Sequence, residues 1–206
     1  MSSLPPPIPY QTPPSLGPEV QQQLQAAQIR AKKLRNCVKV ANTDAGTLAL
    51  FSVLSLLCDL VDRSAGFSGV ALAVLLGVVS FLEFRAIHRF KRLDPQSTQA
   101  LVLNQIILAA GLIAYAGWRW YAESRAGGGL PADLKPYEKD LGDMAKDIEG
   151  IGQTVTQMLY ASMIFVAIFG QGGLALYYHT REKFLKAYIT ETPAWIQEMQ
   201  RAGGPL

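Results

Sequence analysis

Cysteine and histidine are scarce in this chain: its 206 residues include two of each. Cys37 and Cys58 do not form a Cys-x-x-Cys pair, so the sequence contains no thiolate array of the zinc or redox type. A Ser-His-Asp set, a Walker loop, a dinucleotide-binding fingerprint and a zinc-protease helix are also absent from the sequence. We therefore expect no enzyme activity and no cofactor.

Charged residues are missing from four long segments. Residues 47–57, 64–82, 98–118 and 154–180 contain no Asp, Glu, Lys or Arg. A helix needs ~20 apolar residues to cross a bilayer. The pattern predicts an all-α polytopic membrane protein with four transmembrane helices, at about residues 45–61, 68–87, 99–118 and 156–178, and with helical extramembrane extensions. A soluble bundle would need partners to cover most of this surface. We expect a lipid bilayer, and no nucleic acid, as a partner.

Basic residues flank three of the predicted membrane boundaries. Because Lys and Arg resist translocation, these flanks predict that both termini are cytoplasmic. The chain carries no eukaryotic sorting signal, so the default location is a bacterial inner (plasma) membrane. The flanking residues are Arg30, Lys32, Lys33, Arg35 and Lys39 before span one, Arg85, Arg89, Lys91 and Arg92 between spans two and three, and Arg181, Lys183 and Lys186 after span four.

The composition divides the chain into four parts. Residues 1–18 predict a disordered Pro-rich tail, residues 19–41 an amphipathic cytoplasmic helix, residues 42–180 the transmembrane bundle and residues 181–206 a second cytoplasmic tail. The amphipathic helix has three interpretations: it lies on anionic lipid headgroups, pairs with another helix, or extends span one into water. The residues that would face the headgroups are Lys32, Lys33, Arg35 and Lys39.

A heptad seam precedes span four in the third loop. Its apolar residues alternate at spacings of four and three, as in a coiled coil, and predict a far-side helical extension at about residues 136–155. Because Gly142, Gly150 and Gly152 each cost up to ~1 kcal/mol in a helix, we favour packing within the chain or against a partner subunit over an autonomous zipper. A homo-oligomer stays open. The seam residues are Tyr137, Leu141, Met144, Ile148, Ile151, Val155 and Met158.

Small residues repeat at every fourth position in two spans. Such stripes allow helix backbones to approach closely in a membrane, where the hydrophobic effect does not drive helices together. We therefore predict helix packing along both stripes. They consist of Gly69, Ala73 and Gly77 in span two, and of Ala110 and Ala114 in span three.

Polar residues within the spans predict the best candidate site. Glu83, Asn104, Gln105 and Gln171 all fall in the cytoplasmic half of the predicted bundle. The cluster is interpreted either as interhelical hydrogen bonding, which we favour, or as a cavity for an ion, a proton or a polar ligand. Glu83 lies near a span end, where it is able to snorkel or to pair with a neighbouring arginine.

Both histidines fall at the same end of the predicted bundle. His179 and Glu182 are three residues apart on one helix, and with His88 they form a candidate metal site. For the whole chain we expect a structural, scaffolding or accessory subunit, and the alternative is an oligomeric channel or carrier that uses the polar cluster.

Overall fold

The computed structural model describes residues 17–61, 67–126 and 142–202, and these ranges contain helices and turns but no strands. Most of the Pro-rich tail, seam residues Tyr137 and Leu141, and residues 203–206 lie outside them. The helical elements are α1 (Pro18–Val61), α2 (Phe67–Lys91), α3 (Ser97–Ala126), α4 (Asp143–Val166), a π-helical turn (Ala167–Gln171), α5 (Gly172–Glu191) and α6 (Ala194–Ala202).

Four helical stretches are long and apolar enough to cross a membrane, at residues 18–60, 69–91, 97–125 and 144–191. The fourth stretch combines α4, the π-helical turn and α5. The predictions of an all-helical chain and of four candidate spans are therefore confirmed at the level of length and composition.

The first helix runs without a break past residue 41, where the sequence analysis divided it. At ~1.5 Å per residue it is roughly 65 Å long. Its first half buries an apolar stripe that includes Ala31, Leu34 and Val38, whereas its second half exposes large residues such as Phe51 and Leu60. The stripe of the amphipathic segment is thus covered by other helices of the same chain.

The larger core lies at one end of the bundle. Here the first half of α1 packs with the last turns of α2, the start of α3 and the middle of α5, and the buried side chains include Leu34, Phe90, Leu101, Leu185 and Tyr188. We call this the basic end, because the basic flanks described above surround it. A smaller buried cluster lies farther along α1, α2 and α3 and contains Leu48, Leu76, Val79 and Leu108.

The helices separate toward the opposite end. α1 packs against α2 and α5, and α3 packs against α2, α4, the π-helical turn and α5. Among the described residues, α1 and α4 do not pack extensively on each other, so the four helices are closely packed at the basic end and apart at the other.

The predicted small-residue stripe of α2 faces α1. The Ser52 hydroxyl donates a hydrogen bond of 2.7 Å to the Ala73 carbonyl oxygen, and a Cβ added at Gly77 would lie 3.0 Å from Ser52 Oγ. A Cβ added at Gly69 would overlap the Asp59 carboxyl group. This close approach of α1 and α2 requires small side chains on α2.

The stripe predicted on α3 does not pack within the chain. Ala110 and Ala114 are exposed, because they lie on the side of α3 that faces away from the other helices. The close approach on this helix is at Gly111 instead, where an added Cβ would lie 2.7 Å from a methyl carbon of Leu75.

Within the described residues the far-side helix begins at Asp143, and residues 136–141 of the predicted extension lie outside them. Gly142 precedes it with a φ of 53°, a left-handed conformation that glycine adopts at little cost and other residues avoid. Of the described seam residues, Met144, Ile151, Val155 and Met158 are 60–66% exposed and Ile148 is half-buried. Packing of this seam within the chain is therefore not observed in the described part.

Most of the segment predicted as the C-terminal tail is helical, as far as Ala202. α5 continues to Glu191, whose carboxylate pairs with Arg30 on α1. α6 then folds back on α5: Ile196 is fully buried, and the Gln197 side chain donates hydrogen bonds to the carbonyl oxygens of Ile189 and Thr192. These contacts satisfy carbonyl groups that the end of α5 leaves without a helical partner.

Candidate functional site

The structure brings two of the four predicted polar residues into direct contact. Gln105 Nε2 on α3 donates a hydrogen bond of 3.1 Å to Glu83 Oε1 on α2. Both side chains are 0% exposed. They lie in the interior of the bundle, next to the larger core.

Asp44 and Tyr178 complete this site. The same Gln105 Nε2 donates to Asp44 Oδ2 on α1 at 2.7 Å, and the Tyr178 hydroxyl on α5 donates to Glu83 Oε1 at 3.3 Å. We call these four residues the four-helix polar cluster, because α1, α2, α3 and α5 each contribute one side chain. Their hydrogen bonds connect all four spans at one level.

The environment of Glu83 differs from the snorkelling arrangement expected above. Its carboxyl group points into the bundle, whereas Arg85 and Arg89 are exposed and make no ion pair within the described residues. The reason is local helix geometry: Glu83 lies on the face of α2 that carries Val79 and Ala86, and this face is buried.

The cluster contains two neighbouring carboxyl groups but no basic side chain. One Gln105 amide bridges the Asp44 and Glu83 carboxyl groups, so the two lie close together. Among the described residues, Glu83 Oε2 and Gln105 Oε1 are buried without a hydrogen-bond donor, so the cluster has more acceptors than donors.

Asn104 occupies a separate position beside the cluster. Its Nδ2 donates a hydrogen bond of 3.0 Å to the Val79 carbonyl oxygen of α2, so it ties α3 to the backbone of α2. Its Oδ1 is buried and has no donor within the described residues.

Gln171 ends the π-helical turn and is not hydrogen-bonded to the cluster. Its Oε1 is buried and accepts no hydrogen bond from the residues that the structure describes. The turn borders an apolar groove of about 610 Å³ between α3 and the fourth span, where Ile106, Phe169 and Leu176 line the wall. Short π-helical segments inside α-helices occur often at functional sites, and glycines 170, 172 and 173 surround this one.

The candidate metal ligands do not form a site. His179 and Glu182 approach each other to 3.9 Å, but Glu182 is engaged by Lys186 at 2.7 Å. His88 is exposed and does not join them. No three His, Cys, Asp or Glu residues of the described ranges lie close enough together to bind a metal ion.

A second polar network, which the sequence analysis did not find, joins α3 to α4 toward the opposite end. The Tyr160 hydroxyl donates to Glu123 Oε1 at 2.7 Å, and Arg119 bonds both Glu123, at 2.8 Å, and the Tyr160 oxygen, at 3.3 Å. Tyr160 is buried, while the other two side chains are about one-third exposed. The i, i+4 spacing of Arg119 and Glu123 is able to predict their ion pair within α3. Nothing in the sequence predicts that the pair also contacts Tyr160 on α4.

We expect Tyr160→Phe to weaken the packing of α4 on α3. The variant keeps the ring but loses the hydroxyl, and since Glu123 remains paired with Arg119, the expected cost is about 1 kcal/mol. Tyr115→Phe is the matched control, because the Tyr115 hydroxyl has no hydrogen-bond partner in the described part. Unfolding in detergent micelles would measure both variants, and equal losses would contradict the role given to the Tyr160 hydroxyl.

The signals for the missed cluster members were weak. Asp44 lies just outside an uncharged run and resembles a boundary residue, and Tyr178 fits the aromatic belt at a membrane interface. Comparison of the chain with protein-family models, with curated proteins and with solved structures gives no match.

Proposed function

We propose that this chain is a structural membrane protein of the scaffolding or accessory-subunit type. The observation that supports the proposal is the four-helix polar cluster. Asp44, Glu83, Gln105 and Tyr178 are bonded to one another rather than directed at a continuous cavity, so they stabilise the bundle instead of lining a path through it. Interhelical hydrogen bonds of this kind hold membrane helices in one arrangement.

In the proposed orientation the basic end faces the cytoplasm, as the excess of Lys and Arg beside the short loop favours. Both termini are then cytoplasmic, and α4 extends into the opposite compartment. The proposed location is a bacterial inner membrane.

The proposed partner surface is the exposed seam of α4. Ile151, Val155 and Met158 lie on one face of a helix that projects beyond the Tyr160 network, and each is at least 60% exposed. A single row of exposed apolar residues at heptad spacing suits a helix of a partner subunit. The glycines of α4 disfavour pairing of two copies alone.

A channel or carrier is the alternative function. The observation that favours it is the unpartnered, buried Oε1 of Gln171 at the π-helical turn, together with Glu83 Oε2. In an oligomer these acceptors would line a polar path for a cation.

Ion flux through proteoliposomes distinguishes the two functions. We expect purified protein to give no flux above that of empty liposomes, and we expect Asn104→Leu and Gln171→Leu to fold and to keep their binding partner. Flux that Gln171→Leu abolishes would contradict the structural role and favour conduction.

A paired substitution tests the seam itself. Crosslinking in the native membrane should yield one stoichiometric product, and Ile151→Glu with Val155→Glu should abolish it, since two buried charges would disfavour the helix contact. Gln153→Glu, an exposed position on α4, is the control. Loss of the product in the control as well would contradict a seam-specific contact.

A further inference from the structure

A groove between α2 and α3 opens at the basic end. Its volume is about 280 Å³, and its wall includes Leu82, Arg85 and Arg89 from α2 and Leu103, Asn104 and Ile107 from α3. The groove is separate from the four-helix polar cluster, whose side chains point to the other face of α2 and α3.

The chemistry of the groove changes along its length. Because α2 and α3 are antiparallel neighbours, Leu82 and Ile107 lie toward the middle of the spans, while Arg85 and Arg89 lie toward the basic end. Leu82, Leu103 and Ile107 are 39%, 58% and 43% exposed, so the inner part is an accessible apolar surface. The outer part carries two positive charges one helical turn apart.

Neither arginine is neutralised within the described residues. Arg85 and Arg89 are exposed and form no ion pair there, although Glu83 is only two positions from Arg85 in sequence. Two adjacent guanidinium groups at a membrane boundary suit a phosphate, since each offers a planar set of donors to it.

Asn104 lies on the inner wall of the groove. Its side chain is only 3% exposed and donates a hydrogen bond to the Val79 carbonyl oxygen, so it offers little accessible polar surface to a ligand. The accessible walls are therefore the two arginines and the apolar side chains. A ligand that fits them has an anionic phosphate and an apolar chain.

We propose that this groove is a binding site for an anionic phospholipid. The phosphate binds Arg85 and Arg89, and an acyl chain lies along Leu82, Leu103 and Ile107. Basic pockets between transmembrane helices on the cytoplasmic side bind anionic headgroups in this way.

Lipid co-purification tests the site. The full chain is extracted into mild detergent, incubated with equal amounts of dioleoyl phosphatidylglycerol and dioleoyl phosphatidylcholine, and repurified, and the retained lipids are quantified by mass spectrometry. Each basic residue near an anionic headgroup contributes about a fivefold preference. We expect the wild-type protein to enrich phosphatidylglycerol at least fivefold, and Arg85→Gln with Arg89→Gln to return the retained lipids to the input ratio.

A charge-matched variant is the control. Lys91→Gln with Arg92→Gln removes the same charge from exposed positions at the end of the same helix, outside the groove, and should keep the enrichment. If both double variants lose it equally, the preference arises from overall charge and the proposed site is wrong.

Two further measurements distinguish a lipid-binding groove from a charged surface and from a phosphate site. Leu103→Trp fills the groove without altering charge and should also abolish enrichment, which separates a groove from a charged surface. Inorganic phosphate at millimolar concentration should not displace the lipid, because it lacks the acyl chain. Displacement by phosphate alone, or enrichment unchanged by Leu103→Trp, would overturn the proposal. Thermal unfolding of each variant shows whether it remains folded.

Discussion

Tyr178→Ala is expected to cause the largest loss of stability among single substitutions in this chain. Tyr178 is 0% exposed, contributes its ring to the larger core and donates its hydroxyl to Glu83. Truncation of a large buried aromatic ring leaves a cavity and costs about 3–5 kcal/mol. The lost donor leaves Glu83 Oε1 with a single partner. Unfolding in mixed detergent micelles should therefore occur at a much lower denaturant concentration than for the wild type.

Tyr177→Ala is the matched control for this substitution. Tyr177 is the preceding residue and has the same side chain, but it is only half-buried and its ring stacks against the Arg181 guanidinium. We expect Tyr177→Ala to lower the free energy of unfolding by less than half as much as Tyr178→Ala does. Equal destabilisation by the two variants would mean that α5 does not direct Tyr178 into the core, and would contradict the four-helix polar cluster.

Glu83→Ala is expected to have the second largest effect. It removes the shared acceptor of Gln105 and Tyr178 from a site without access to water, and it opens a cavity between four helices. An unsatisfied buried donor costs about 1–3 kcal/mol, so we expect a loss of about 3 kcal/mol when the cavity is included.

Glu83→Gln separates the role of the hydrogen bonds from that of the charge. Its amide oxygen still accepts from Gln105 and Tyr178, and its amide nitrogen adds a donor that an ionised carboxylate lacks. We expect stability within about 1 kcal/mol of the wild type. If the glutamine variant were as unstable as the alanine variant, the negative charge itself would be required, and the structural role proposed for the cluster would be wrong.

Together these two predictions distinguish a structural role of the four-helix polar cluster from an ion-binding role. A structural role requires a hydrogen-bond acceptor at position 83 and the ring of Tyr178, but it tolerates a neutral residue at position 83. A cation site requires the charge, since a carboxylate ligand contributes most of the attraction for a monovalent ion. Proteoliposome flux measured on Glu83→Gln would extend the comparison to the alternative function.

The number of helical spans was predictable, because it depends on local composition. In lipid, the backbone N–H and C=O groups of an uncharged run of about 20 residues must form hydrogen bonds within the protein. A helix is the structure that forms them within a single segment. The basic flanks were predictable for the same reason: they are short-range features of the chain. The start of the far-side extension stays a prediction, since residues 136–141 lie outside the described part of the chain.

The contacts of polar residues inside the bundle were only partly predictable. Gln105 and Glu83 were expected to converge and are hydrogen-bonded, yet nothing in the sequence singled out Asp44 or Tyr178 as their partners, and Gln171 is not bonded to them. Depth along a helix follows from residue number, which is why Glu83 and Gln105 could be grouped. Which face of each helix points into the bundle does not follow from residue number, because it depends on how the neighbouring helices pack.

Composition and residue spacing are thus sufficient to predict four apolar helices, one strongly basic end and a heptad pattern before the fourth span. The rotation of each helix determines the rest: Glu83 points into the bundle and Arg85 outward, and Asn104 lines a groove while Ala110 faces away from the chain. Successive residues differ by about 100° around a helix axis. A membrane helix that is apolar on all sides has no preferred inner face until its neighbours pack against it, so its polar partners are determined by packing.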